Sequence, residues 1–423
     1  MRKIAVWCVI FSLPLFFNSC LVDIIEPRDV KIDAKDIEML TKNVDLRKYP
    51  LINDTTDLPV TAWFGIPTNN LTLNRFQELK DAGININYYR YSNADSVQKA
   101  LDLSQQVGIK TLINCPELMT NTKEIVARFK DHPANAGYFV RDEPPLSMIP
   151  PLNNLIKTIK SVDKSRMCYV NLLPLYGTSQ AMGTDNYNDY VKRYVDDLQW
   201  DVVSFDFYPI EFSGIRYGWY KNLEIIRDES KRIGKDFWAF ALTTSHSNYP
   251  IPTLDHLRLQ VYSNLAYGAR GIQYYTYWTT TSPNYVYTSG PIGKDGAKTV
   301  VYDHLKQVNS EMNALSHIFL SSEVTKVSHY GKSIPDGTQS LGALPSFIKS
   351  IEFTGNSVVV SEMKNNEKSF MMIQNSDLYN PLGLIIETDS LTEIVLKNGK
   401  IIPASLISEE IRINSGDMVM FMR

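Results

Sequence analysis

The sequence predicts an α/β protein: a (β/α)8 TIM barrel followed by a small C-terminal antiparallel β-sandwich. Three observations carry this expectation. Eight β-rich runs alternate strictly with eight amphipathic helical stretches between residues 60 and 319. Strict alternation implies parallel strands joined by crossover helices, and the span matches the ~250 residues of a (β/α)8 barrel. From about Ser322 the pattern changes to short apolar or alternating runs with turn punctuation and no long helix. An open doubly wound sheet is the alternative, but no GxGxxG or GxxxxGKS/T follows any strand, which weakens its nucleotide-binding versions.

The elements follow in order. Arg2 and Lys3 precede the uncharged apolar run Ile4–Phe17. That run has the length of a signal segment and is shorter than the ~20 residues of a spanning helix. It ends in Phe17-Asn18-Ser19-Cys20, which resembles a bacterial lipoprotein signal with Phe where Leu is usual. The resemblance implies removal of residues 1–19 and a lipid anchor on Cys20. It further implies residence in the cell envelope, at the outer membrane. Residues 20–57 are polar and aperiodic and read as a tether with a short N-terminal arm. The barrel is expected over 58–321 and the sandwich over 322–423.

Within the barrel the expected strands are Val60–Ile66, Ile84–Arg90, Ile109–Cys115, Gly137–Asp142, Met167–Leu173, Val202–Tyr208, Phe237–Thr243 and Gly271–Trp278. The intervening helices are Leu71–Ala82, Ala94–Val107, Thr122–Lys130, Met148–Val162, Tyr187–Leu198, Gly218–Ile233, Leu254–Tyr267 and Val301–Phe319. Gly83, Gly108 and Gly234 stop three of them. In the sandwich, Ser357–Val360, Ser369–Ile373, Leu384–Ile386 and Met418–Phe421 read as strands. Asn398-Gly399 and Asn414-Ser415-Gly416-Asp417 read as hairpin turns.

Composition narrows the function. The 423 residues are 44% hydrophobic, with 43 Lys+Arg against 46 Asp+Glu, a formal charge of −3. This is a folded chain rather than a disordered one, and it lacks the basic surface a nucleic-acid binder needs. Cys115 and Cys168 fall on the third and fifth strands, about 9–10 Å apart and beyond disulfide reach. No Cys/His spacing suits a metal, and no cofactor motif is present.

Barrels of this type build their sites at the C-terminal ends of the strands. The fourth strand ends Arg141-Asp142-Glu143-Pro144-Pro145. Adjacent buried acids raise one another's pKa, which is what a general acid needs. The competing reading is an acid pair favouring the next helix's dipole. The sixth strand reads Val203-Ser204-Phe205-Asp206-Phe207-Tyr208, and alternation places Ser204, Asp206 and Tyr208 on the inward face. Glu117 and Glu211 are further acids after the third and sixth strands. Tyr88, Tyr89, Arg90 and Tyr91 end the second strand, while Gln273, Tyr274, Tyr275, Tyr277 and Trp278 make up much of the eighth. Flat rings with polar tips suit stacking on a pyranose, although aromatic residues also favour strands in general.

Gly137-Tyr138-Phe139-Val140-Arg141-Asp142-Glu143-Pro144, followed by Asp206-Phe207-Tyr208-Pro209, resembles the glycoside-hydrolase-like (β/α)8 lipoproteins of polysaccharide-utilisation systems. The resemblance covers residues 58–320 and the sandwich behind them. It implies a carbohydrate substrate and a general-acid role for Glu143. Asp142 and Asp206 are further catalytic candidates, and Trp278, Tyr208, Tyr275, Tyr89, Arg90 and Glu117 are candidate substrate contacts. Trp278 resembles the eighth-strand Trp that floors the subsite beside the cleaved bond. The family's nucleophile, a Glu ending the seventh strand, has no counterpart in Phe237–His246. Three expectations stay open. Asp206, Glu117 or Glu211 replaces it; Glu143 and Asp206 act as an inverting pair at roughly 6.5–9.5 Å; or the protein binds glycans without cleaving them.

Overall fold

The structure is a computed structural model that describes residues 46–48, 50–51, 57–407 and 410–423. The expected signal, Cys20 and most of the tether lie outside the described residues.

Eight parallel strands form the barrel: β1 (Val60–Trp63), β2 (Ile86–Tyr88), β3 (Lys110–Ile113), β4 (Asn135–Asp142), β5 (Met167–Asn171), β6 (Val203–Phe205), β7 (Phe237–Leu242) and β8 (Ile272–Tyr275). Each neighbours the next, β8 returns to β1, and Val60 stands opposite Ile272. The seam between β5 and β6 is closed by one parallel bridge, Leu172 to Phe205, with the Leu172 amide donating to the Ser204 carbonyl at 2.8 Å. The helices are α1 (Leu73–Asp81), α2 (Ala94–Val107), α3 (Thr122–Phe129), α4 (Ile149–Lys160), α5 (Tyr187–Asp197), α6 (Trp219–Arg232), α7 (Leu254–Ala266) and α8 (Val300–Ala314).

Local chemistry fixes these boundaries. The Asn93 side chain caps α2 by accepting from the Ser96 amide at 2.9 Å, and Gly108 ends it at φ +72°. Only glycine adopts that conformation freely. The helix expected over Val301–Phe319 is instead broken at Leu315 and resumes as Ser316–Ser321. There Ser316 Oγ bonds the Asn313 carbonyl at 2.9 Å, a side-chain bond that competes with the helical ladder.

Two apolar cores result. Trp63, Tyr88, Leu112, Phe139, Tyr169, Trp238 and Phe240 fill the barrel interior. Trp63 is in ring contact with Tyr88 at 4.4 Å and with Phe240 at 5.1 Å. The opposite strand faces meet the helices in a separate, larger core.

The C-terminal strands are β9 (Glu323–Gly331), β10 (Ile348–Phe353), β11 (Ser357–Lys364), β12 (Ser369–Asn375), β13 (Leu382–Thr388), β14 (Glu393–Val395), β15 (Ile401–Pro403), β16 (Ile411–Ile413) and β17 (Met418–Met422). A six-stranded sheet in the order β9-β11-β12-β17-β14-β15 faces a three-stranded sheet β10-β13-β16. Asn398-Gly399 makes the expected hairpin between β14 and β15. The Asn414–Asp417 turn does not: it carries the chain from one sheet to the other, because β16 pairs with β13 and β17 with β12 and β14.

The large sheet also covers the barrel. Ser361 Oγ donates to the Ala266 carbonyl at 2.6 Å, and Gln374 Nε2 to the Leu259 carbonyl at 3.0 Å. Helix α7 is therefore buried nearly all round, with Arg258 paired to Glu311 of α8 at 2.5 Å.

Candidate active site

A cleft of about 480 Å³ opens at the C-terminal ends of β4 to β8. That volume lies in the ~300–1,000 Å³ range of small-ligand sites. Its acid wall is Asp142, Glu143 and Asp206, with Asn171 among them.

A β-bulge sets the fourth strand's contribution. The β4–β5 register shifts between Phe139 and Arg141, so Asp142 stands opposite Asn171. Without the shift, strict alternation from inward-facing Phe139 would turn Arg141 inward and Asp142 away. Glu143 follows with φ +45°, a left-handed backbone rarely adopted by a side-chain-bearing residue. Its amide donates to the Asn171 carbonyl at 2.8 Å. The next turn is held by α5: the Tyr190 and Tyr194 hydroxyls donate to the Pro144 carbonyl at 2.8 and 3.0 Å. Glu143 thus belongs to the strand end, six residues before α4, rather than to a helix N-terminus.

Asn171 organises the acids. Its Nδ2 donates to Asp206 Oδ1 at 2.9 Å and to Asp142 Oδ1 at 3.3 Å. Its own Oδ1 accepts from Ser204 Oγ at 2.9 Å, and Ser204 Oγ accepts from Gln273 Nε2 at 2.8 Å. Tyr169 donates to Gln273 Oε1 at 2.6 Å. This polar chain rises through the barrel interior to Asp206. Ser204 and Asp206 both face inward, as strand alternation requires.

The Glu143 and Asp206 carboxyls lie on the same wall and influence each other's protonation. Burial, reinforced by the Asp142 charge, pushes Glu143 up to about 7. Glu143 is open to the cleft while protein encloses its other sides. Burial raises Asp206 well above the usual carboxylate range, and the charges of Glu143 and Asp142 raise it further. Two such acids cannot both ionise readily, so the pair holds one proton near neutrality. Asp142 is also raised by burial, although Arg90 at 3.2 Å opposes this.

The other wall is aromatic. Tyr208 stacks on Tyr275 at 5.5 Å, and the Tyr275 and Tyr287 hydroxyls are 2.9 Å apart. Arg216 lies 4.1 Å from the Tyr176 ring and pairs with Glu211. His246 packs on Tyr287 at 4.5 Å, and burial lowers its pKa, which keeps the imidazole neutral.

The sequence-derived residues divide accordingly. Glu143, Asp142, Asp206, Tyr208 and Tyr275 line the cleft. Arg90 is at its edge, bonded to Asp142 and 5.5 Å from the Phe64 ring. Trp278 is displaced. Strand β8 ends at Tyr275, and Trp278 packs back toward α1, with Arg75 5.1 Å from its ring. Tyr89 is half-buried against Phe64 and Tyr91. Glu117 accepts from the Ala94 amide at the start of α2 at 3.2 Å, a capping task. Trp63, Asn171, Tyr176, Arg216, Tyr249, Tyr285 and Tyr287 also line the cleft without having been singled out as contacts. Asn171 ends an inward-facing strand register, a signal available in the sequence. The loop residues carry no such period.

The architecture is that of a (β/α)8 barrel with a C-terminal β-sandwich packed on α7 and carboxylates at the C-terminal ends of the barrel strands. No protein-family model matches the chain, and no curated protein matches it. Among solved structures it is similar to the β-galactosidase from Bacillus circulans sp. alkalophilus, with a TM-score of 0.57 at 10% identity over 88% of this chain and 100% of that one. A catalytic mutant of Gan42B, a GH42 β-galactosidase from G. stearothermophilus, gives 0.57 at 9% identity over 87% and 98%. The β-galactosidase from Rahnella sp. R3 gives 0.53 at 8% over 89% and 100%. The chain spans 60% of the length of the Marinomonas ef1 β-galactosidase and 58% of that from Halorubrum lacusprofundi. At these identities the likeness is one of fold.

Proposed function

We propose that the protein is a glycoside hydrolase acting on a polysaccharide or oligosaccharide, with Glu143 as general acid and Asp206 as its partner. The observation that carries this reading is the convergence of Asp142, Glu143 and Asp206 in an aromatic cleft. Glu143, lifted to about 7, carries the pair's proton when Asp206 is ionised and can then protonate a leaving glycosidic oxygen. Carboxyls close enough to shift each other's protonation favour the ~5 Å spacing of retaining enzymes over the ~6.5–9.5 Å of inverting ones. Asp206 is accordingly the nucleophile in this reading, and Asp142 holds Arg90 and Asn171 in place. The GH42 β-galactosidases of similar fold support a glycosidic substrate class. Anchoring through Cys20 at the outer membrane is part of the same proposal, and Cys20→Ala should move the protein from the membrane fraction to the soluble one.

The second reading is a glycan-binding protein without turnover. It is favoured by the β7 end of the cleft, where Thr243 and Thr244 follow Leu242 and no carboxylate lines that side among the described residues. Incubation with a panel of oligosaccharides separates the two. New reducing ends, with retained anomeric configuration by NMR and abolished in Glu143→Gln, support hydrolysis. Binding without product supports the silent reading.

A further inference from the structure

We propose that Phe212, Tyr217 and Tyr379 form an outer glycan-binding platform continuous with the cleft, so that the protein engages carbohydrate chains longer than the cleft itself. The inference rests on the carbohydrate reading above but not on catalysis.

Six aromatic side chains are strongly exposed among the described residues. Tyr176 and Tyr285 line the cleft. Tyr330 packs on Phe353 of the sandwich at 4.8 Å. The remaining three are the most exposed: Phe212 at 72%, Tyr217 at 78% and Tyr379 at 69%. Rings left this open contribute little burial to the fold, so stability does not account for their placement.

All three are tied to the cleft side of the barrel. Phe212 sits at the tip of a short hairpin, Ile210–Glu211 against Gly214–Ile215, that follows β6. Its amide donates to the carbonyl of Asn248, a cleft residue, at 3.0 Å. The hairpin's Glu211 holds Arg216, another cleft residue. Tyr217 comes next, and its hydroxyl donates to Asp336 at 3.1 Å. Tyr379 arrives from the sandwich, in the loop between β12 and β13. Its hydroxyl lies 3.9 Å from where a Cβ would stand on Gly214, so it reaches the same hairpin.

The segments that carry Tyr217 and Tyr379 are also anchored. Asp377 Oδ1 accepts from the amides of Tyr379 and Asn380 at 2.9 and 3.0 Å, fixing the Tyr379 loop. Asp336, which anchors Tyr217, is itself held by Lys221 at 2.8 Å. Pre-organised flat rings lose little freedom on binding. They suit the C–H faces of successive sugar rings. A protein partner would call for a contiguous apolar core. Here Tyr217 is bonded to Asp336, and Ser213 and Arg216 fall between Phe212 and Tyr217 along the chain.

The test is affinity electrophoresis of the Glu143→Gln protein, which blocks cleavage, through gels containing β-galactan, xylan, glucomannan, laminarin or pectin. At least one polysaccharide is expected to retard it. Adding Phe212→Ala, Tyr217→Ala and Tyr379→Ala should weaken that retardation about tenfold or more. Undiminished retardation of the triple variant, or no retardation of the parent by any gel, overturns the proposal. Should the triple variant melt below its parent, the single variants provide the same readout in smaller steps. In the otherwise unaltered protein, the triple variant should hydrolyse short aryl glycosides like its parent. Absence of any hydrolysis would refute the catalytic reading alone, since retardation is measured without turnover.

Discussion

Asp142 and Asp206 are joined through one amide group although a whole strand, β5, stands between the strands that carry them. The residue that makes this possible is on that intervening strand. Asn171 donates to Asp206 and Asp142 with one amide nitrogen, so three acids from two strands converge on one point. Their mutual repulsion is relieved by a held proton and by Arg90, which pairs with Asp142 at 3.2 Å.

Replacement of Glu143 by Gln preserves the side chain's shape and removes its acid function. Turnover should fall by about 10²-fold or more, the range of general acid catalysis. Far-UV circular dichroism should be unchanged. Reducing-end assays on an oligosaccharide panel check this, and turnover equal to the parent would rule out Glu143 as the proton donor.

The pH dependence has a definite sign. A general acid works while protonated, so kcat/KM should drop as pH rises past about 7, the value to which burial lifts Glu143. Stability follows the same group. Its folded pKa exceeds the unfolded one, so its contribution is complete below about 4.5 and is lost as pH rises to about 7. Melting temperatures of the parent should therefore decline across that window, and those of Glu143→Gln should decline less. A parallel decline in both proteins would contradict this.

Asn171 acts by positioning. Asn171→Ala removes the donor to two acids and frees Ser204 from its partner. A hydrogen bond to a charged group is worth ~1.5–3 kcal/mol, so kcat should fall roughly tenfold to a hundredfold. KM should move little, and the pH limb should shift with the released Asp206. An unshifted limb with only a lowered melting temperature would mark Asn171 as structural.

The contact between barrel and sandwich depends on buried charge. Arg258 pairs with Glu311 at 2.5 Å and approaches Asp417 at 3.5 Å, while Lys397 meets Asp417 at 2.7 Å. Arg258→Met strands Glu311 in a buried site and should destabilise the protein by ~3–5 kcal/mol. Urea denaturation would register it as a lower midpoint, and a midpoint within error of the parent would refute it.

The sequence by itself determined the barrel and its order. Alternating β-rich runs and amphipathic helices specify parallel strands, since a right-handed crossover is the ready way to bury both faces. It also determined that Ser204, Asp206 and Tyr208 share a face, because the two-residue period of a strand is local geometry. Which acids converge was decided only by the tertiary structure. The bulge after Phe139 reverses the strand's phase and so turns Asp142 inward, and the left-handed backbone of Glu143 turns the chain at the strand end. The displacement of Trp278 and the arrival of Tyr379 beside Gly214 likewise depend on where β8 ends and how the sandwich docks. Periodicity is a property of neighbours along the chain. A cleft is assembled from strand ends and loops whose proximity arises only when the barrel closes.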